Sequence, residues 1–257
     1  MNTATITLIG GPTALIELGG LRFLTDPTFD DPGDYQLGTV TLTKTAKPAL
    51  LAYQVGEIDA VLLSHDQHPD NLDLAGRAFL PKARRVLTTK AGAARLGGNA
   101  EGLAPWETLE LDAANGETII VTATPARHGP AGIEPLSGDV IGFVLSSKTN
   151  AFKPVYVTGN TVWFDGVAEV QRRFEPGLVL LFAGAAQTRG KFNLTMNAND
   201  AIEAACAFSG APIVPLRTEG WAHFTESADD LERAFKVLGH GERLRRIKQG
   251  APARFPL

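Results

Sequence analysis

Residues Asp59-Ala60-Val61-Leu62-Leu63-Ser64-His65-Asp66-Gln67-His68-Pro69-Asp70-Asn71 carry an apolar run into a loop holding two of the chain's five histidines. The run Ala60–Leu63 is expected as a short buried strand, and the polar residues after it as the loop at its end. A strand fixes the base of such a loop while the loop aims imidazoles and carboxylates into a cleft, a common way to build a metal site. How complete that site is depends on partners elsewhere in the chain.

Three other expected strands end in polar loops. Thr118–Thr124 leads into Pro125-Ala126-Arg127-His128-Gly129, Val155–Thr158 into Gly159-Asn160-Thr161, and Ile213–Leu216 into Arg217-Thr218-Glu219-Gly220-Trp221. Four strand ends can converge on one rim of a sandwich. The opening strands, Ile6–Ile9, Ala14–Leu18 and Leu21–Leu24, are separated by Gly10-Gly11-Pro12 and Gly19-Gly20 and read as an antiparallel meander. Gly10-Gly11-Pro12 runs into β-type residues and not into a helix, which argues against a dinucleotide loop. Further strands are expected at Arg85–Thr88, Val140–Ser146 and Leu178–Phe182. Helices are expected at Asn71–Ala78, Thr89–Leu96, Val167–Phe174, Ala198–Phe208 and Ser227–Val237, the last opened by an Asp-rich turn. Antiparallel strands followed by strands mixed with helices imply an α/β or α+β layered fold.

The 257 residues suffice for a full core and are expected as one domain, 1–257. A net charge of −4 leaves no electrostatic footprint for nucleic acid, and the basic stretch Arg243–Lys248 reads as a solvated face. The single cysteine, Cys206, excludes an intramolecular disulfide and a multi-cysteine zinc site, and its Ala-rich surroundings predict a buried helix thiol. His240, before Gly241, reads as a surface or helix-end residue. Met1–Gly10 lacks the features of a secretion signal and no apolar run spans a bilayer, so the expectation is a soluble cytoplasmic protein with no membrane partner. A homo-oligomer is compatible with all of this.

Five stretches recur in one order: Gly10-Gly11-Pro12-Thr13-Ala14, Leu24-Thr25-Asp26-Pro27, the Ser-His-Asp loop, Thr122–Pro130 and Gly220-Trp221-Ala222-His223-Phe224. In these the chain resembles, over nearly its whole length, the metallo-β-lactamase superfamily, in particular the hydrolase branch similar to L-ascorbate-6-phosphate lactonases. The resemblance implies a four-layer αββα sandwich with a metal cleft at one edge. It also implies a first motif His-x-His-x-Asp-His, then a distant His, a bridging Asp and a final His, together holding two divalent ions.

With one inserted residue, His65 and His68 take the first two histidine positions, Asp70 the aspartate and Asn71 the third histidine. Without the insertion, Gln67 and Pro69 fall on ligand positions, so the insertion retains three ligand-type residues instead of one. His128 matches the next ligand, Asn160 stands at the bridging aspartate and Arg217 at the final histidine. The resemblance thus implies one divalent ion, zinc or manganese, with His65, His68, Asp70 and His128 as candidate ligands. The second site is degenerate at Asn71, Asn160 and Arg217. Arg217 is cationic at any relevant pH and cannot bind a cation, so it is expected to replace the second ion, paired with Asp70.

The resulting reading is a metal-dependent hydrolase of a small-molecule ester, lactone or phosphorylated substrate, with Asp70 as candidate general base and Arg217 or the metal at the oxyanion. The opposing reading is a metal-free pseudoenzyme kept for ligand binding or assembly; a third has Arg217 binding an anionic ligand without metal. Asp26, Trp163, Trp221 and His223 are candidate pocket residues, joined by Phe164 and Phe224. Against that stand a turn-forming role for Asp26 ahead of Pro27, core roles for the aromatics and a loop-holding role for His223. Asp66 reads either as a carboxylate orienting a histidine or as a solvated loop residue.

Overall fold

The strand Leu178–Phe182 is buried along its whole length, and its residues serve two different cores. In the computed structural model, which describes residues 3–257, Leu178, Leu180 and Phe182 face one apolar cluster while Val179 and Leu181 face another. The period of two along a strand separates the faces. Strand Ala60–Leu62 and the residue after it divide in the same way: Ala60 and Leu62 join the first cluster, Val61 and Leu63 a third. A strand apolar on both faces must be covered on both, and this accounts for four layers.

The central cluster lies between two sheets. One has seven strands in the order Pro252–Pro256, Thr3–Gly10, Thr13–Leu18, Leu21–Thr25, Ala60–Leu62, Arg85–Thr89, Ala100–Leu103. The other has six, in the order Ile213–Leu216, Leu178–Phe182, Val155–Val157, Ile141–Ser147, Thr118–Pro125, Thr108–Asp112. Each sheet is antiparallel in one part and parallel in the other, and the parallel part includes the strands Ala60–Leu62 and Ile213–Leu216. Helices Asp165–Phe174, Ala198–Ala207 and Ala228–Val237 cover the outer face of the six-stranded sheet through Val167, Val170, Ala201, Leu231 and Phe235. Phe79 and Leu80, where helix Leu74–Phe79 meets its following turn, cover the seven-stranded sheet. Each fully buried Val, Leu or Phe among them contributes about 1.5–3 kcal/mol. The fold is the αββα sandwich expected.

Most expected elements form within a residue or two. The helix expected over Asn71–Ala78 begins only at Leu74, because Asp73 caps it by accepting from the Gly76 amide and so leaves Asn71 in a turn. Five strands carried too little apolar signal to be read: Gly33–Leu37, Val40–Lys44, Ala100–Leu103, Thr108–Asp112 and Pro252–Pro256. The first two pair as a separate hairpin whose base is fixed by a buried ion pair, Lys44 Nζ to Asp73 Oδ2 at 2.9 Å.

Two expectations are corrected. Cys206 is exposed: its helix buries the stripe Ala201, Ala204 and Ala205, and Cys206 lies off that stripe, its Sγ 3.5 Å from His240 Nε2. The basic stretch is corrected only at Arg243; Arg245, Arg246 and Lys248 are exposed, as expected. Arg243 donates to the carbonyls of Ala205, Phe208 and Ala211, and Arg246 pairs with Asp229 and Glu232. Among the described residues, no helix is long and apolar enough to cross a membrane.

Candidate metal centre

Four loops at one edge of the sandwich carry the expected site residues. The loop after Ala60–Leu62 is fastened from below: Asp26, fully buried, accepts from the Ser64 amide at 2.6 Å and from the Ser64 hydroxyl at 2.9 Å. The Ser64 oxygen lies 3.2 Å from His65 Nδ1. With its proton given to Asp26, that oxygen accepts the Nδ1–H of His65 and leaves the Nε2 lone pair for the cleft. His128 is fixed in the same way, its Nδ1–H donating to the Leu194 carbonyl at 2.8 Å.

His65 Nε2 and His68 Nδ1 are 2.8 Å apart, and His128 Nε2 is 3.3 Å from His68 Nδ1. The ligand atoms of the three all lie within 4.8 Å of one another. Burial holds the three imidazoles neutral. It lowers His128 to about 3, with His68 and Arg217 adding to the effect. It lowers His65 well below its ordinary value and lowers His68 as well. Neutral, oriented nitrogens on three converging rings form a donor set that fits one divalent ion.

Asp70, expected among the ligands, is not in that group. Its Oδ2 accepts from Arg217 Nη2 in a short contact and from His223 Nε2 at 2.9 Å. Burial pushes the Asp70 carboxyl up, but the Arg217 guanidinium and His223 outweigh it and hold it well below the usual carboxylate range. Burial lowers Arg217, opposed by the charges of Asp70 and Asp26. Arg217 is almost wholly buried, with Phe224 beneath its guanidinium at 4.5 Å. Its backbone is left-handed, φ 62°, just past strand Ile213–Leu216, and its amide donates to the Gly11 carbonyl at 2.8 Å. A Cβ at position 184 would stand 2.0 Å from the Arg217 carbonyl oxygen, so only glycine allows this turn.

The remaining positions expected to have lost ligand function, Asn71 and Asn160, are both buried and hydrogen-bond each other, and Asn71 also donates to Asp26 at 2.9 Å. The chemistry of these residues does not fit a second ion: two neutral amides occupy each other, and the buried carboxylate beside them, Asp70, is already paired with the Arg217 cation.

Four pocket expectations are corrected. Asp26 lies beneath the floor and not in the cleft; desolvation raises its carboxyl to about 7, opposed by the hydrogen bonds from Ser64 and Asn71. Trp163 packs against the outer cluster of the six-stranded sheet. Trp221 lies under the hairpin, 5.3 Å from the Tyr35 ring. Phe164 stacks under Arg127 at 4.8 Å. His223 does line the cleft. Asp66 is not solvated; it is buried and its carboxylate is paired with Arg95, which ties the loop to helix Lys90–Leu96.

The cleft is floored by His68, Asp70, His128, Arg217 and His223. Its walls come from residues the sequence did not single out. Leu37, Val40 and Leu42 descend from the hairpin, Ile133 and Leu136 from the segment after His128, and Phe192 and Leu194 from the loop before helix Ala198–Ala207. Leu194 could not have been found by residue type, since it holds His128 through its backbone. Ser64 could have been, as a hydroxyl beside the first histidine.

The family model described as "Beta-lactamase superfamily domain" matches residues 21–216. The chain is 28% identical over 243 residues to the UPF0173 protein YddR of Bacillus subtilis, covering 91% of this chain and 93% of that one. An isothiocyanate hydrolase from Delia radicum gut bacteria superimposes with a TM-score of 0.83 at 22% identity, covering 98% of this chain and 100% of the other. A "possible metal-dependent hydrolase" from Veillonella parvula superimposes with a TM-score of 0.83 at 20% identity, covering 98% and 99%.

Proposed function

Because the chain belongs to the metallo-β-lactamase superfamily, we propose that it is a hydrolase working with one divalent ion, its second ion replaced by the Arg217–Asp70 pair. The observation that carries this reading is the adjacency of a neutral three-histidine cluster to a buried arginine–carboxylate pair. An ion held by His65, His68 and His128 would supply Lewis acidity toward water and toward the scissile group.

The protein's own groups supply the rest. Asp70 Oδ1, Arg217 Nε and His223 Nδ1 are buried and without a hydrogen-bond partner. Such atoms are costly unless a ligand or water satisfies them. Arg217 Nε is the donor for a developing oxyanion. Asp70 Oδ1 accepts from the attacking water and orients it; held well below the usual carboxylate range, it is ionised but a weak base. Apolar walls keep bulk water from screening these charges.

The substrate is a small molecule with an electrophilic centre: an ester, a lactone or a phosphorylated compound. The neighbour named as an isothiocyanate hydrolase adds a carbon electrophile of another kind to that range. The test is metal analysis of protein purified without chelator, together with hydrolysis of an ester, lactone and phosphodiester panel with and without Zn²⁺ or Mn²⁺. One equivalent of metal and metal-stimulated turnover abolished by His128→Ala are expected. Two equivalents would overturn the arginine replacement. Inertness under every condition would favour the pseudoenzyme reading, which the mutual pairing of Asn71 and Asn160 supports.

A further inference from the structure

The hairpin over the cleft is two-faced. Gln36 and Thr41 bond to each other on one face at 2.7 Å, as do Asp34 and Thr43 at 2.6 Å, while Leu37, Val40 and Leu42 line the cleft. Across from it, Leu136 stands 71% exposed at the mouth. An apolar side chain left in water on a cleft rim gains about 25 cal/mol for each Å² a ligand covers. Two separate segments thus present unpaired apolar surface to the same opening.

Charge points the same way. Above the floor, Arg189 is the one charged side chain among the described residues lining the cleft. The other cation, Arg217, is already neutralised by Asp70. A phosphorylated substrate carries one to two negative charges; beyond Arg217 and the ion that the histidines would hold, both of which serve the reacting group, the described lining offers it one further cation, Arg189.

We infer that the substrate is an uncharged carbon electrophile with a hydrocarbon portion, which seats against Leu37, Val40, Leu42 and Leu136 while its reacting group meets Arg217 and the histidines. This rests on the hydrolase reading for the chemistry but not for the binding. The apolar walls supply affinity, and the floor supplies orientation.

Two series of full-length protein measurements separate binding from chemistry. In the first, n-alkyl carboxamides from acetamide to octanamide displace the uncharged fluorescent probe N-phenyl-1-naphthylamine, which needs neither metal nor turnover. Affinity is expected to rise up to about fourfold per methylene before levelling. In the second, kcat/KM for p-nitrophenyl acetate to hexanoate on the zinc-loaded protein is expected to rise likewise. Val40→Asp and Leu136→Asp, on opposite walls, are expected to flatten both slopes with metal content unchanged. Probe failing to bind, or affinity independent of chain length, overturns the inference. So does faster cleavage of a phosphomonoester than of the hexanoate. A length-dependent amide series with no turnover of any ester, lactone or phosphodiester, with or without metal, sinks the hydrolase reading and leaves the apolar-ligand assignment standing.

Discussion

Asn71 and Asn160, 89 residues apart in the chain, are joined by two reciprocal amide hydrogen bonds of 3.1 Å and 2.9 Å. Each amide offers its NH₂ to the other's oxygen, so each engages the other's donor and acceptor. Asn160→Asp removes a donor and sets an acceptor against Asn71 Oδ1. It is expected to cost about 1–3 kcal/mol in chemical denaturation and to add no metal. A second equivalent is expected only when Asn71→His, Asn160→Asp and Arg217→His are combined, as read by elemental analysis.

Removing Arg217 strands a buried carboxylate. Arg217→Met is expected to lower stability by about 3–5 kcal/mol, because Asp70 then keeps His223 alone as a partner. The double variant Asp70→Asn/Arg217→Met is expected to recover most of that loss, since it removes both charges. Additive losses in urea melts would mean that the pair is not coupled.

Asp26 gives stability a pH dependence of unusual sign. Its carboxyl is raised from the ordinary 3.8 to about 7 by burial, so between those values the folded chain holds a proton that the unfolded chain has released. The contribution is fully present below about 3.8 and is lost as pH rises to about 7, by about 4 kcal/mol at most. Buried neutral histidines act in the opposite direction: His128, lowered to about 3, contributes stability that falls away as pH drops below its ordinary 6.5. The difference between wild type and Asp26→Asn isolates the first effect. Across pH 5 to 8, the wild type is expected to lose stability relative to the variant.

The buried Lys44–Asp73 pair holds the hairpin to the body. Asp73 also accepts from the amides of Phe29, Asp30 and Gly76 and so stays bonded without the lysine. Lys44→Met is therefore expected to cost less than a pair broken with no other support, about 1–3 kcal/mol. Amide hydrogen exchange is expected to speed up across residues 33–44 and not in strand Leu178–Phe182.

Apolar periodicity made the two-faced strands legible, and with them the layers, because an alternating or continuous apolar run has few other uses. Strands such as Gly33–Leu37 and Pro252–Pro256 were not legible: half-exposed, they draw their pairing from neighbours rather than from their own composition. In the site, His65, His68 and His128 were found by residue type and position after strand ends, and the pairing of Asp70 with Arg217 was implied by the family resemblance. Asp26, Trp163 and Trp221 were misplaced because closeness in sequence to a strand end does not say on which side of the floor a side chain falls. The cleft walls were invisible because Leu37, Val40 and Leu136 look like any other apolar residues until three loops meet.

The loop before helix Ala198–Ala207 and the hairpin both wall the cleft, but they are not equally free to vary. Leu194 holds His128 by its carbonyl, and the Thr195 hydroxyl accepts from Arg217 Nη1 at 3.5 Å. The hairpin's leucines and valine are bonded to neither the histidines nor Arg217. Changes of substrate preference can therefore accumulate on the hairpin by simple exchange of side chains, whereas exchange at residue 195 removes a bond to Arg217, and at residue 194 any change that shifts the backbone displaces His128. Drift in this lineage should be fast on one wall and slow on the other.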